Sequence, residues 1–361
     1  MRIVGSAAMS PNDLDRSRGC LLGGAVGDAL GAPVEFMSIA EIRIAFGPTG
    51  IQEFAPAYGR IGAVTDDTQM TLFTAEGLIR AIARYNGRGI CHPPGVIHHA
   101  LLRWLHTQGE RSPATRDLGE KWPDGWLIGR NELFARRAPG MTCLEALQAS
   151  PRFGSEADND SKGCGALMRI APIGLAVVGE RVYAMACESA RSTHGHWDST
   201  CSSGFFALLI SQLKLGASLV VAMADAKQEF EAGNVSEPVL RAIEAAESLA
   251  SSDAPSTPEV VERLGAGWVA EEALAISLFC ALRASTFEYG VRLAVNHGGD
   301  SDSTGSLTGQ ILGTLRGAAS IPERWLKALE LRDIIEQLAQ DLVDSAGWSS
   351  EDAGDSRYPG W

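Results

Sequence analysis

Residues 65–85 read TDDTQMTLFTAEGLIRAIARY. Within this stretch Ala75, Leu78, Ile79 and Ile82 recur at the three- and four-residue spacing of one helix face, which predicts a helix over 68–85. The same period returns at Phe206, Leu209, Ile210 and Leu213, and again at Ala273, Ile276, Phe279 and Cys280. Few segments alternate apolar with polar residues over strand length. The fold class is therefore all-α, a compact single-domain orthogonal helical bundle. Predicted helices run over 14–31, 68–85, 92–107, 142–149, 164–178, 181–192, 198–215, 218–231, 237–249, 269–283, 286–295, 302–317 and 326–342.

The breaks between these helices fall at Gly, Pro and Asp clusters. The stretch 108–140 holds Pro113, Trp122, Pro123, Trp126 and Pro139 and is too long for a plain connector, which marks it as a lid or binding loop. Residues 250–258 read as a surface loop. The chain divides into an N-terminal arm over 1–15, one helical domain over 16–343 and a Ser-, Asp- and Gly-rich mobile tail over 344–361.

Composition limits what such a chain does. Its 361 residues suffice to bury about three quarters of the unfolded surface, so no disulfide or structural metal is needed for stability. With 45% hydrophobic and 21% charged residues, disorder and coiled coil are excluded as the main state. Lys and Arg total 31 against 44 Asp and Glu, a net charge of −13, which argues against nucleic acid as a partner. Seven scattered cysteines, odd in number and without a CxxC pair, read as reduced thiols. The N-terminus lacks the apolar run of a secretory signal, and no segment approaches the length of a membrane span. These features place the protein in the cytoplasm, away from membranes.

Two segments concentrate carboxylates at predicted helix starts. Thr65-Asp66-Asp67-Thr68 is, taken alone, a good helix cap. Asn296-His297-Gly298-Gly299-Asp300-Ser301-Asp302-Ser303-Thr304-Gly305 sets two carboxylates and hydroxyls behind a glycine pair. It is no EF-hand, because the twelfth loop position, where that motif needs a bidentate Glu, holds Ile311. If the two segments meet, four carboxylates share one place and need cations, and oxygen-only donors favour Mg²⁺ or Mn²⁺ over zinc. Their separation along the chain leaves that meeting undetermined by sequence.

Three further segments stand out. In GGAVGDALGAPVE, Gly23, Gly27 and Gly31 recur every four residues, a stripe for close helix contact, while Asp28 and Glu35 are odd charges in so apolar a stretch and Glu35, beyond Pro33, leaves the helix. Ser161-Lys162-Gly163-Cys164-Gly165 is a Gly-rich turn able to offer backbone N–H groups to a phosphate, though it lacks the P-loop pattern. In Thr193-His194-Gly195-His196, His194 reads either as a hydrogen-bonding or stacking group or as a satisfied core histidine. His297 reads as a brace for the Gly-Gly-Asp turn.

In combination, GCLLGGAVGDALGAPVE, GAVTDDTQMTL, SKGCGALMRIAPIG, THGH and NHGGDSDSTGSLTGQILG resemble the ADP-ribosylglycohydrolases, over about Arg18 to Arg324. The resemblance implies an all-α fold with a binuclear cleft for two Mg²⁺ or Mn²⁺ ions. It implies Thr65, Asp66, Asp67, Asp300, Asp302 and Ser303 as ligands, and Glu35, Asp67 and Asp302 as the catalytic groups. It assigns Ser161, Lys162, Gly163, Cys164 and Gly165 to the ADP-ribose cleft, His194 to the nucleotide, and Gly140, in the APGMTC stretch, to the distal ribose. Relatives often carry Asn where this chain has Cys164, and an aromatic where it has Lys162.

The implied reaction is hydrolysis of ADP-ribose from a protein side chain, arginine first. The ions would orient the distal ribose and activate water, with Glu35 or a ligand carboxylate as general base and Lys162 adding charge at the pyrophosphate. The implied partner is an ADP-ribosylated protein, with an ADP-ribosyltransferase toxin as a further partner if the chain serves as its immunity protein. The alternatives are another two-metal hydrolase of phosphate esters or pyrophosphates, or a non-catalytic binding relative.

Overall fold

The computed structural model describes residues 11–119, 122–232, 235–348 and 357–359. Among them are sixteen α-helices and one two-residue-per-strand ribbon, Pro56–Ala57 with Arg60–Ile61, so the fold is all-α. None of the helices is long and apolar enough to cross a membrane.

The organising contact is between helix Pro11–Gly31 and helix Ser301–Arg316. Gly19, Gly23, Gly27 and Gly31 face Gly313, Gly309, Gly305 and the Ser301–Asp302 peptide in turn. A Cβ at any of these positions would overlap the opposing carbonyl, so only glycine lets the two backbones touch. The four-residue stripe thus fixes the register of helix Ser301–Arg316, and with it the height of Asp302 beside the segment that carries Glu35. Helix Asp66–Arg88 crosses nearby, and Asp66 through Ala83 are all buried. A helix apolar on one face only would be half exposed. This one is enclosed because helix Pro93–Thr107 covers another side.

Several boundaries differ from the predicted ones, each for a local reason. The first helix begins at Pro11, so residues 11–15 of the expected arm are helical, and Asp15 accepts a hydrogen bond from the Ala318 backbone at 3.2 Å. Residues 1–10 of that arm lie outside the described residues. The predicted helix 164–178 is a 3-10 turn, Cys164–Ala166, followed by helix Ala171–Ala176, which Pro172 starts afresh. The predicted helix 326–342 is two helices, Glu323–Ala328 and Arg332–Asp344. Between them Leu331 takes a φ of 60°, and Glu330 turns inward to meet Arg137. Helix Ile39–Phe46 was not predicted, although Ser38 and Glu41 form a full capping box.

The stretch 108–140 is mostly not a lid. Asp124 pairs with Arg80 at 2.9 Å, and the Leu127 N–H donates to Glu76 at 3.2 Å, so its middle is pinned to helix Asp66–Arg88. Of the tail, Tyr358 is buried and donates to Asp341 at 2.7 Å, while 349–356 and 360–361 lie outside the described residues.

Candidate active site

Thr65 caps helix Asp66–Arg88, its hydroxyl accepting from the Asp67 N–H at 3.3 Å. Asp28 completes the cap from the neighbouring helix. Its carboxylate accepts from the Thr65 N–H at 3.0 Å and from the Thr68 N–H at 3.1 Å. Asp66 and Asp67 therefore begin the helix with their carboxylates free of capping duty. Asp66 accepts instead from the Gly140 N–H at 3.0 Å, which brings the end of the 108–140 stretch to the cleft wall.

The second tip is built the same way. Asp300 caps helix Ser301–Arg316, accepting from the Ser303 N–H at 3.4 Å, and Asp302 accepts from the same N–H at 3.0 Å. The Asp300 N–H is tied to the Ala266 carbonyl at 2.8 Å, and Gly299 has a φ of 141° where a side chain would strike Ala266. His297 braces the turn through Thr304 at 2.9 Å, and burial pushes its pKa down to about 4. A neutral ring accounts for that bracing.

The two tips meet. The Ser303 hydroxyl donates to Asp67 at 3.3 Å. Glu35 joins them from the end of helix Pro11–Gly31, where Phe36 adopts a φ of 69° and turns the chain out of the helical path. Glu35, Asp66, Asp67, Asp300, Asp302 and Ser303 line one cleft of about 210 Å³ with Gly140, Gly163, Cys164, Gly165 and His194. Phe36 and Trp268 stack at 5.3 Å, and Trp268 is part of the cleft wall.

The cleft is electrostatically incomplete by itself. Burial, then the charge of Asp302, pushes Asp28 up to about 7. Burial, then Asp302, Asp300 and Asp66, pushes Glu35 up to about 10. Burial also holds Asp66, Asp67, Asp300 and Asp302 above the ordinary carboxylate range. Among the described residues no lysine or arginine forms an ion pair with any of these six. Asp67 Oδ1 and Glu35 Oε2 are buried with no hydrogen-bond partner, an arrangement that is costly unless something else binds them. Orphaned oxygens among buried carboxylates are the donor set of a hard divalent cation, so the residues fit such an ion. No three His, Cys, Asp or Glu side chains among the described residues are already drawn to one point at ligating range.

The nucleotide-side residues are placed less as expected. Gly163, Cys164, Gly165 and His194 reach the cleft, with the His194 ring close against Gly163 and Gly165. Burial, then Arg169, pushes His194 down to about 3, and its Nδ1 pairs with the Thr193 hydroxyl at 2.9 Å. Ser161 and Lys162 are not among the cleft-lining residues. Ser161 faces the Thr142 hydroxyl at 3.2 Å. The Lys162 ammonium is held between Asp198, at 2.9 Å, and Glu271, so it has no free charge for a pyrophosphate. The turn's N–H groups are also partly spent: Gly163 donates to Ser161 at 3.3 Å and Cys164 to the Trp268 carbonyl at 3.2 Å.

Sequence reasoning missed three contributors. Asp28 had a visible signal, a lone carboxylate in a run of small apolar residues. The Gly265–Trp268 loop offered only two glycines beside a tryptophan. Arg137 and Glu330 gave none. Arg137 grips Glu330 and donates to the Val64 carbonyl at 2.9 Å, and Glu330 accepts from the Val64 N–H at 3.2 Å. This clamp holds the approach to Thr65 against the approach to Gly140.

With this geometry in place, comparison with known proteins defines the class. The ADP-ribosylglycohydrolase family profile matches residues 9–351, and the chain belongs to that family of glycosidic-bond hydrolases. Among relatives, an uncharacterized protein from Archaeoglobus fulgidus is 30% identical, the match covering 91% of this chain and 96% of its own. ADP-ribosylarginine hydrolase Tri1 from Serratia proteamaculans is 26% identical, over 91% of this chain and 79% of its own. A solved structure titled ADP-ribosylglycohydrolase-related protein complex is 29% identical with a TM-score of 0.65, covering 93% of this chain and all of that one.

Proposed function

We propose that this enzyme removes ADP-ribose from modified arginine side chains of proteins by hydrolysing the N-glycosidic bond. The observation that carries the reading is the meeting of the Thr65–Asp67 and Asp300–Ser303 tips around orphaned carboxylate oxygens, in a cleft bounded by Gly140 and His194. The name of the Serratia relative supports arginine as the linkage.

Thr65, Asp66, Asp67, Asp300, Asp302 and Ser303 would hold two Mg²⁺ or Mn²⁺ ions. Bound ions supply charge compensation and Lewis-acid polarisation at the ribose. The chain's own groups do the rest. Once bound cations offset the charges of Asp302, Asp300 and Asp66 that otherwise keep Glu35 protonated, Glu35 Oε2, at the cleft and without a hydrogen-bond partner, would accept a proton from the attacking water as general base. Gly140 and Gly165 let the backbone come close to the sugar and phosphate side. His194, buried and neutral, packs the nucleotide wall without adding charge. The stacked Phe36 and Trp268 screen the mouth beside Glu35.

The test is incubation with arginine-, serine- and O-acetyl-linked ADP-ribose substrates, with and without a chelator. Release of free ADP-ribose from the arginine-linked substrate, abolished by chelation, is the expected result. AMP as product would establish a pyrophosphate hydrolase instead, and absence of turnover on all three would leave a binding protein.

A further inference from the structure

One cleft residue is not used by the mechanism above. Cys164 is buried, and its Sγ lies 2.8 Å from Asp300 Oδ2 and 3.6 Å from the Ser303 hydroxyl. The Ser303 hydroxyl is in turn 3.3 Å from Asp67 Oδ2. Asp67 is 2% exposed, lines the same cleft, and its Oδ1 has no partner. One sulfur and three oxygen-bearing side chains thus form a run of neighbours that ends at an aspartate with one unsatisfied oxygen, and they would draw closer together to share an ion. Cys143, also at the cleft, does not share this arrangement, since its Sγ is directed to the Gly165 carbonyl at 3.8 Å.

We propose that Cys164 makes this cleft a binding site for a thiophilic divalent ion, its sulfur acting as a ligand together with Asp300, Ser303 and Asp67. The inference rests on the metal-centre reading of the same cleft. Sulfur discriminates between ions: thiolates favour Zn²⁺, Co²⁺ and Cd²⁺, whereas Mg²⁺ takes oxygen donors and ignores a thiol beside them. On binding, a sulfur–metal bond forms and the thiol proton leaves to solvent, with no change of oxidation state. An ion held in this way occupies Asp67 and Asp300. The chain should then bind two kinds of divalent ion in competition, through overlapping donors.

The experiment is titration of the metal-free full-length protein with Co²⁺, followed by electronic absorption, together with calorimetric titration of Mg²⁺ and Cd²⁺. A near-ultraviolet sulfur-to-cobalt charge-transfer band is expected in the wild type and in Cys143→Ser, and is expected to be lost in Cys164→Ser. Cd²⁺ affinity should fall by about tenfold or more in Cys164→Ser, on the scale of losing a ligand-supporting group, while Mg²⁺ affinity changes by less than about twofold. Cys164→Asn, which restores an oxygen donor of similar size, provides a second variant and should also lack the band. Mg²⁺ binding without a sulfur band in the wild type overturns this inference alone, as does a band that survives in both Cys164 variants. Failure to bind any of the three ions overturns the metal-centre reading with it.

Discussion

Two clusters of buried charge lie on helix Asp66–Arg88, and they are built in opposite ways. Further along the helix, Glu76 and Arg80 are fully buried beside the fully buried Arg103 of the next helix, with Asp124 closing the group. There the protein supplies both signs of charge: Arg103 Nε donates to Glu76 at 3.4 Å and Arg80 to Asp124 at 2.9 Å. At the helix start, Asp66 and Asp67 face Glu35, Asp300 and Asp302, and one sign only is present. The same helix thus carries one cluster in which opposite charges are paired and one in which carboxylates alone are gathered. Imbalance of charge, not burial, separates the candidate active site from the structural network.

The contrast can be broken first at the paired cluster. Glu76→Ala leaves Arg80 and Arg103 buried with too little negative charge and frees the Leu127 N–H. It should destabilise the fold by about 3–5 kcal/mol, the usual loss when one partner of a buried ion pair is removed. Chemical denaturation of the metal-loaded protein checks this. The carboxylate cluster should respond in reverse. Asp67→Asn removes a charge that no cationic side chain balances, so ADP-ribose release should drop by about 10²–10³-fold, as when one group stabilising a transition-state charge is lost. The metal-free variant should nonetheless melt no lower than metal-free wild type. A large loss of stability in Asp67→Asn would erase the distinction between the clusters.

The response to pH sharpens the same point. The cleft carboxylates have folded pKa values above their unfolded ones, so between those values the folded state binds more protons than the unfolded state, and stability falls as pH rises. For Asp28 the window runs from its ordinary 3.8 up to about 7. Metal-free protein should therefore lose melting temperature from pH 4 to pH 7, and saturating Mg²⁺ should flatten the slope at the upper end. Glu76→Ala should shift the whole curve down without changing that slope.

What the sequence discloses follows the range of the interaction involved. The helix starts at Thr65 and Asp300 are local capping chemistry, and the glycine stripe is a local period, so both were legible. The stripe even identified close helix contact, though not that its partner would be the glycine face of helix Ser301–Arg316. The fate of Lys162 was not legible, because Asp198 and Glu271 reach it from distant parts of the chain. The same holds for the break at Leu329–Leu331. Its helical pattern is intact in sequence, and it fails because Glu330 is needed by Arg137, almost two hundred residues away. Asp28 stands between these cases: its oddity was visible, while its role as a second cap for the Thr65 helix required the fold.

The smallest effect expected links the glycine stripe to the cleft. A Cβ at Gly27 meets the Gly305 carbonyl, and a Cβ at Gly19 meets the Gly313 carbonyl two turns further from the site. Both Gly27→Ala and Gly19→Ala force the two helices apart, and each should lower stability by about 1–3 kcal/mol, the range for overpacking a close contact. Their consequences for activity should differ. Gly305 lies one turn from Asp302 and Ser303, so displacement there moves the second carboxylate tip relative to Asp67, whereas Gly313 lies towards the opposite end of the helix from that tip. Turnover of the arginine-linked substrate should fall in Gly27→Ala and stay near wild type in Gly19→Ala at equal folded fraction. Equal activity in the two variants would mean that the height of helix Ser301–Arg316 does not set the geometry of the carboxylate pair.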